Sequence, residues 1–344
     1  MYGLSATPPA RAQASRSTLA GLAAYSGPDR TARLIAGAKK EGSVTVYTSE
    51  TVEDIAALSA AFQSKYGVKF NVWRGSANDI LQRTVVEASG GRFDVDAIET
   101  GALTMESLQR ERLLQQVSSP AFADLNPAAI RPHHQWIGTR YNVFVAAYNT
   151  GVVAKGDLPK SYDDLADPKW KGKLGIEAQS GDWFGTLVQK LGEQRGLKLF
   201  RDMVAANGMS VRTGHTLLAN LVVSGEVPFA ISTYLYRVAQ LKARGAPIDW
   251  LAIPPVVARF EGVGVARHAP HPYAAMLYLD FMLADAQAIL AKRDFLPASA
   301  KVAPLPAVAL PPGTALTFLD PAQALDQHEK WSKYYRDIVT HQPR

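Results

Sequence analysis

The chain of 344 residues contains no cysteine. That excludes disulfides, thiolate metal sites, a cysteine nucleophile and a lipid-bearing N-terminal Cys. It also lacks any apolar run near the ~20 residues that cross a bilayer, since the richest stretches, such as Leu217 to Val223, are soon interrupted by glycine and charge. The formal net charge is +6, but the basic residues are scattered, with no basic block and no alternation of basic and aromatic side chains. Nucleic acid is therefore not expected as a partner, although a modest positive field helps to attract small anions. Catalytic signatures are missing as well: there is no Gly-x-Ser-x-Gly elbow, no phosphate-binding P-loop and no His-Glu-x-x-His. An enzyme on the same architecture stays open only as an alternative.

What is present is globular. Hydrophobic residues make up 47% and charged residues 20%, and the length suits roughly two domains. The first thirty residues differ from the rest, with Pro8, Pro9 and the small-residue run Ala10-Arg11-Ala12-Gln13-Ala14. Ala12-x-Ala14 has the form of a signal-peptidase site. Residues 1–30 are read as a flexible N-terminus or signal remnant, with 1–14 as the stretch an export signal would leave.

Periodicity then gives a repeating order. Helical spacing of Leu34, Ile35 and Ala38 predicts a helix over 31–42, and Val44 to Tyr47 a strand that runs into Thr48-Ser49-Glu50-Thr51. A helix to Gly67, a strand at Lys69 to Trp73, a loop at Ser76-Ala77-Asn78, and a helix from Asp79 to Ser89 follow. Asp94 to Ile98 is a third strand, ending in Glu99-Thr100-Gly101. Such repeats indicate a mainly parallel sheet whose ligands bind beyond the carboxyl ends of the strands.

After a lone strand at Val143 to Tyr148, a second set begins: strands at Lys173 to Glu177, Met209 to Arg212 and Val227 to Ile231. Each again ends in a polar loop, Ser180-Gly181-Asp182, Thr213-Gly214-His215-Thr216 and Ser232-Thr233, the last capping a helix from Tyr234 to about Arg244. Trp250 to Ile253 and Gly262 to Ala266 read as strands, and Pro272 to Leu290 and Pro321 to Val339 as long helices. At Pro254-Pro255 the chain is expected to return to the first set.

The order of motifs resembles the type II periplasmic binding proteins related to bacterial ferric-iron-binding proteins. Val46-Tyr47-Thr48-Ser49, Phe93-Asp94-Val95, Tyr148-Asn149-Thr150, Asp167-Pro168-Lys169-Trp170-Lys171-Gly172-Lys173 and Val223-Ser224-Gly225-Glu226 carry it. The resemblance spans roughly Gly42 to Pro297. It implies a two-lobed α/β fold with a central ligand cleft and two interlobe crossings: 31–147 plus 259–344 as lobe 1, and 148–258 as lobe 2. It further implies the substrate-binding component of an ABC importer, periplasmic, monomeric, closing by a hinge over its ligand and docking on an inner-membrane ABC permease. No cofactor is implied; Fe3+ is a candidate transported ligand.

The strand-end loops present helix N-termini suited to oxyanions. The candidate ligand-binding residues are Thr48, Ser49, Glu50, Ser76, Asn78, Glu99, Thr100, Ser180, Gly181, Asp182, Thr213, His215, Thr233, Tyr234, Tyr236 and Arg237. The bland alternative for each hydroxyl or Asp is a cap on its own helix. If the ligand is ferric, the resemblance makes Tyr234, Tyr236 and Glu99 the metal donors. Leu235 separates the two tyrosines, and positions two apart on a helix point about 200° from each other, so joint chelation requires that the turn not yet be helical. Arg74, Arg140, Arg212 and Arg237 near the loop edges favour the other option, a small organic anion such as a phosphonate, sugar phosphate or carboxylate. Trp73, Trp183 and Tyr234 can wall the ligand or pack in the core.

Overall fold

The computed structural model describes residues 19–340; the expected signal remnant at residues 1–14 lies outside them. The described chain opens with a helix over 19–24 (α1), whose Leu19, Leu22 and Ala23 are buried. The N-terminal stretch read as flexible through residue 30 is thus packed from Leu19, because these apolar residues share one helical face. Next come α2 (Arg30–Glu41), β1 (Ser43–Thr48), α3 (Val52–Tyr66), β2 (Lys69–Arg74), α4 (Ala77–Ser89), β3 (Ala97–Gly101) and α5 (Ala102–Arg110). The long strand β4 (Ile137–Asn149) leads to β5 (Leu174–Glu177), α6 (Gly181–Leu191), α7 (Glu193–Asn207), β6 (Ser210–Arg212), α8 (His215–Ser224), β7 (Phe229–Tyr234), α9 (Leu235–Ala243) and β8 (Ile248–Leu251). The remainder is β9 (Val256–Val265), α10 (Pro272–Leu283), α11 (Asp285–Lys292), β10 (Leu296–Pro297), β11 (Leu316–Phe318), α12 (Pro321–Asp326), α13 (His328–Tyr335) and a π-helical turn, Arg336–Thr340.

The chain divides into two compact units. Unit 1 runs to Arg140 and resumes at Phe260–Arg293 and Pro297–Ala303; unit 2 holds Tyr141–Arg259, Asp294–Leu296 and the chain from Pro304 onward. The chain therefore changes unit inside strands, within β4 and within β9. The first lies seven residues before the expected boundary after 147, and the second one residue past that expected after 258. The C-terminal segment also differs: instead of returning with 259–344 to lobe 1, it packs in unit 2. The reason is aromatic burial, with Trp331 and Tyr335 set edge-on to Phe184 at 6.3 and 5.3 Å between ring centroids. Gly185 permits this, since a β-carbon there would stand 2.5 Å from the Trp331 ring.

In unit 1, β1 lies parallel to β2 and β3, with Val46 opposite both Val72 and Ala97, and β9 runs antiparallel to β3. α10 packs on this sheet through an aromatic cluster in which Phe62 meets Tyr278 and Phe281 edge to face. In unit 2, β5 lies parallel to β6 and β7, while β7 and β8 run antiparallel to β4. Phe144, Trp170, Trp183, Phe184, Phe200 and Phe229 form its core. Parallel strands followed by helices put the loops after β1, β2 and β3 at one edge of unit 1, and those after β5 and β6 at one edge of unit 2.

Several elements depart from their periodicity. β3 begins at Ala97 rather than Asp94; just before it the chain bends at Asp96, whose buried carboxylate accepts the Thr45 and His271 backbone N–H groups, at 2.7 and 2.8 Å. The helix expected from Pro272 to Leu290 bends by 51° at Ala284. Gln287 supports the break, its amide donating to the Met282 and Thr139 carbonyls at 2.7 and 2.9 Å. The helix expected over 321–339 breaks at Gln327, whose Oε1 accepts from Gln189 and Trp331 at 2.6 and 2.7 Å. The helix α7 has no counterpart in the sequence reading. Finally, Ser232 and Thr233 do not cap a helix: both are fully buried in β7, and the Thr233 hydroxyl donates to the Val145 carbonyl of β4 at 3.0 Å.

Candidate functional site

In unit 1 the first two strand-end loops serve their own helices. Thr51 accepts from the Asp54 N–H at the start of α3, and Ser76 forms a reciprocal capping box with Asp79 on α4. Ser76 and its neighbour Asn78 are exposed. Thr48 is buried and its hydroxyl accepts from the Glu50 N–H at 3.0 Å, while Ser49 and Thr100 join hydroxyl to hydroxyl at 2.9 Å. Arg74 donates to the Glu50 carbonyl at 2.5 Å, and Trp73 packs on Tyr47 under the Arg83 guanidinium. The loop after β3 is different, because Gly101 starts α5 with no side-chain cap.

Behind these loops sits a buried charge cluster. Glu50 and Glu99, both candidate ligands, converge on Arg140 from β4: Glu50 pairs with its Nη2, and Glu99 Oε1 lies 3.5 Å from its Nη1. Glu261 from β9 adds a third carboxylate, and the Tyr278 hydroxyl donates to Glu99 Oε2 at 3.0 Å. All are at least nine-tenths buried. Burial, reinforced by the charge of Glu50, pushes the Glu99 carboxyl up to about 8, so at neutral pH it is largely protonated. Burial raises Glu50 as well, against the pull of Arg140. For Arg140 burial alone would weaken the charged form, but the three glutamates hold its proton more firmly than usual.

In unit 2 neither α6 nor α8 has a side-chain cap. The Glu177 carboxylate at the end of β5 serves both loops. Its Oε2 accepts from the Gln179 N–H at 2.7 Å and the Ser180 hydroxyl at 3.1 Å, and its Oε1 from the Gly214 N–H at 3.0 Å. Gly214 has φ of 100°, a backbone conformation that favours glycine. His215 donates through Nδ1 to the Ser232 carbonyl at 3.1 Å and sets Nε2 4.0 Å from Glu177. Burial, opposed by Glu177 and aided by Arg259, lowers this imidazole to about 4, leaving it neutral at physiological pH. Thr213 is exposed.

Arg259, from the apolar run of β9, links the remaining groups. Its Nη1 donates to Asp182 Oδ2 at 3.0 Å and its Nη2 to the Tyr234 hydroxyl at 2.6 Å. The Tyr234 ring packs on His215 at 4.0 Å and lies nearly parallel to Tyr236, 5.8 Å between centroids and 18° between planes. Two residues apart on a helix would diverge. These do not, because Tyr234 is the last residue of β7, with ψ of 128°, and α9 starts only at Leu235. Arg237 follows in the first turn of α9, and Arg212 pairs with Glu226 at the surface. Beside Gly181 and Asp182 a cavity of about 370 Å³ opens within unit 2, bounded on the far side by α12 and α13.

The structure thus gathers Ser180, Asp182, His215 and Tyr234 around Glu177 and Arg259, neither of which the sequence reading singled out. Trp183, by contrast, is wholly buried. A visible signal existed for Arg259, a lone cation in Val256-Val257-Ala258-Arg259-Phe260, and for Glu177 and Glu261, single acids at the ends of apolar strands.

Two α/β units whose parallel strands end in hydroxyl, carboxylate and helix-terminus groups define a protein built to hold a small polar solute. The chain belongs to the bacterial extracellular solute-binding proteins, whose family pattern matches residues 57–315. It is similar to Iron uptake protein A1 of Synechocystis sp., 26% identical over 274 residues that cover 74% of this chain and 75% of that one. Its fold is that of iron-bound HitA from Pseudomonas aeruginosa, with a TM-score of 0.74 at 23% identity, covering 86% of this chain and 99% of that one. AfuA from Actinobacillus pleuropneumoniae, solved with fructose-6-phosphate, is similar with a TM-score of 0.74 at 19% identity over 88% and 100%. The architecture is the two-lobed type II binding-protein fold, and the chain is the substrate-binding component of an ABC importer. Among the described residues no single helix is long and apolar enough to cross a membrane; the bent pair α10 and α11 passes by length and composition, but α10 is almost wholly buried.

Proposed function

We propose that this chain captures ferric iron together with a small oxygen-donor anion in the periplasm and, as a monomer, presents it to an inner-membrane permease without catalysing a reaction. The observation that carries this is the pair of phenol rings, Tyr234 and Tyr236, held side by side, with Arg259 donating to the Tyr234 hydroxyl. Phenol oxygens are hard donors suited to Fe(III), and a guanidinium fork binds a carboxylate or phosphate bidentately. The strand-end loops of unit 2 that carry Asp182, His215 and Tyr234 are the recognition surface in this reading. The name of the Synechocystis relative is in accord with it.

A second reading is a small organic anion alone, favoured by the partly accessible Arg259 and by the sugar phosphate in the AfuA structure. Metal analysis of natively purified protein, with mass spectrometry of what it releases, separates the two. The iron reading expects near-stoichiometric iron, a visible charge-transfer band, and loss of both in Tyr234→Phe and Tyr236→Phe. A metal-free organic anion, insensitive to these substitutions but lost in Arg259→Met, would replace it.

A further inference from the structure

We infer that the cavity between α6 and the C-terminal helices of unit 2 is a second binding site, suited to a neutral polyhydroxylated molecule of sugar size. Of the groups gathered around Glu177 and Arg259, Asp182 alone lines it, and neither Tyr234 nor Tyr236 does. The site therefore stands whether or not iron is the cargo. Its volume of about 370 Å³ lies within the range of small-molecule sites. The walls are held in place from behind. Trp331 of α13 is buried against α6, where Gly185 leaves room for its ring, and the neighbouring Lys330 pairs with Glu193 of α7 at 2.6 Å.

Two amides set the polar chemistry of the lining. The Trp331 indole only donates, so the Gln327 atom that receives it at 2.7 Å is the carbonyl Oε1, and the Gln189 atom 2.6 Å from that oxygen is the amide Nε2. Among the described residues the Gln327 amide N–H groups and the Gln189 carbonyl oxygen then meet no protein group, which leaves a donor and an acceptor on adjacent side chains of the wall. The Thr186 hydroxyl donates to the Asp182 carbonyl at 2.8 Å and keeps its lone pairs. A hydroxyl both donates and accepts, so neighbouring hydroxyls on one ring match this set, and the half-buried Phe318 offers apolar surface to the C–H face of such a ring. Formal charge is met elsewhere. No arginine is among the lining residues, and the lysine there, Lys190, is exposed. The two acids are already engaged: Asp182 accepts from Arg259 and the Trp183 N–H, and Asp320 caps α12 through the Ala322 and Gln323 N–H groups. An anion belongs at the Arg259 fork, and an uncharged ligand fits here.

Isothermal titration of the wild-type chain with glucose, myo-inositol and sucrose tests the site. Saturable binding of at least one is expected. It should weaken about tenfold or more in Ala324→Phe, which fills the cavity from α12, and in Gln189→Met, which keeps the volume and removes the amide. Iron uptake should be unchanged in both variants, because neither residue belongs to the tyrosine site. Sugars also stabilise folded proteins by exclusion from their surface, so a melting-temperature rise counts only as the excess of wild type over variant at equal sugar, expected at roughly 2 °C or more. If Ala324→Phe does not fold, Gln189→Met carries the comparison. No saturable binding of any of the three probes, or binding that the substitutions leave intact, would overturn the inference. So would binding of glucose phosphate with none of glucose, lost in Arg259→Met, since that places the ligand at the anion fork. Iron loading is read separately, and its failure would count against the ferric ligand while leaving a sugar-binding result in place.

Discussion

Each unit pairs an arginine with acids near its strand ends, Arg140 in unit 1 and Arg259 in unit 2, and they do so in opposite ways. Arg140 in unit 1 is 4% exposed and faces Glu50, Glu99 and Glu261; Arg259 in unit 2 has a side chain 22% exposed and meets the Asp182 carboxylate and the Tyr234 phenol. The first guanidinium neutralises a charge cluster buried away from solvent. The second keeps contact with solvent and with Tyr234, the first of the paired tyrosines. Under the proposed function Arg140 is an internal anchor and Arg259 lies beside the ligand, and burial makes the difference.

The sharpest way to break this contrast is to remove each guanidinium. Arg140→Met leaves buried carboxylates without their cation and should cost about 3–5 kcal/mol of stability. Arg259→Met should cost about 1 kcal/mol or less, as a partly exposed pair does, while weakening ligand binding strongly. Urea denaturation and ligand titration of both variants measure the two effects; equal stability losses would show that the units do not differ.

Proton linkage should have opposite signs in the two units of the ligand-free protein. Glu99, raised to about 8 from an ordinary 4.5, is protonated first in the folded chain, so its contribution falls as pH rises through that window. The groups around it, Glu50, Arg140, Glu261 and Tyr278, set the slope, which cannot exceed about 1.4 kcal/mol per pH unit for one proton. Glu99→Gln should flatten the loss between pH 5 and 8. His215, lowered to about 4 from 6.5, is neutral in the folded chain, so its contribution is lost as pH falls from 6.5 toward 4. His215→Asn should remove that acid-side decline. Stability measured across pH 4 to 8 for both variants checks the pair of signs. The smallest effect should come from Ser76→Ala, an exposed self-cap on α4, at roughly 0.5–1 kcal/mol, with no change in ligand binding; a binding defect there would give this loop a role in recognition.

Much of this organisation was legible before any coordinates. The alternation of strand, polar loop and helix placed β1, β2, β5 and β6 within a residue or so and indicated the strand-end edges, because the period of apolar side chains is local. Thr51 and Ser76 turned out to cap their own helices, as the bland alternative allowed. What escaped were the breaks in α10 to α11 and α12 to α13, where Gln287 donates to the Met282 carbonyl at the bend and Gln327 accepts from the Gln189 and Trp331 side chains. Nor could residue spacing alone show that Tyr234 is still extended, the fact that brings its ring beside Tyr236.

By itself the sequence determined the α/β class, the two successive sets of strand-end loops and most of the polar residues those loops carry, since each follows from periodicity and turn chemistry within a few neighbours. The tertiary structure alone decided which of those residues meet. Glu50 reaches Arg140 across 90 positions of chain and Glu177 reaches Gly214 across 37, Glu99 also meets Arg140, and Arg259 reaches Tyr234 across 25 and Asp182 across 77. Electrostatic strength and proton affinity depend on distance and burial in space, and neither is encoded in local pattern.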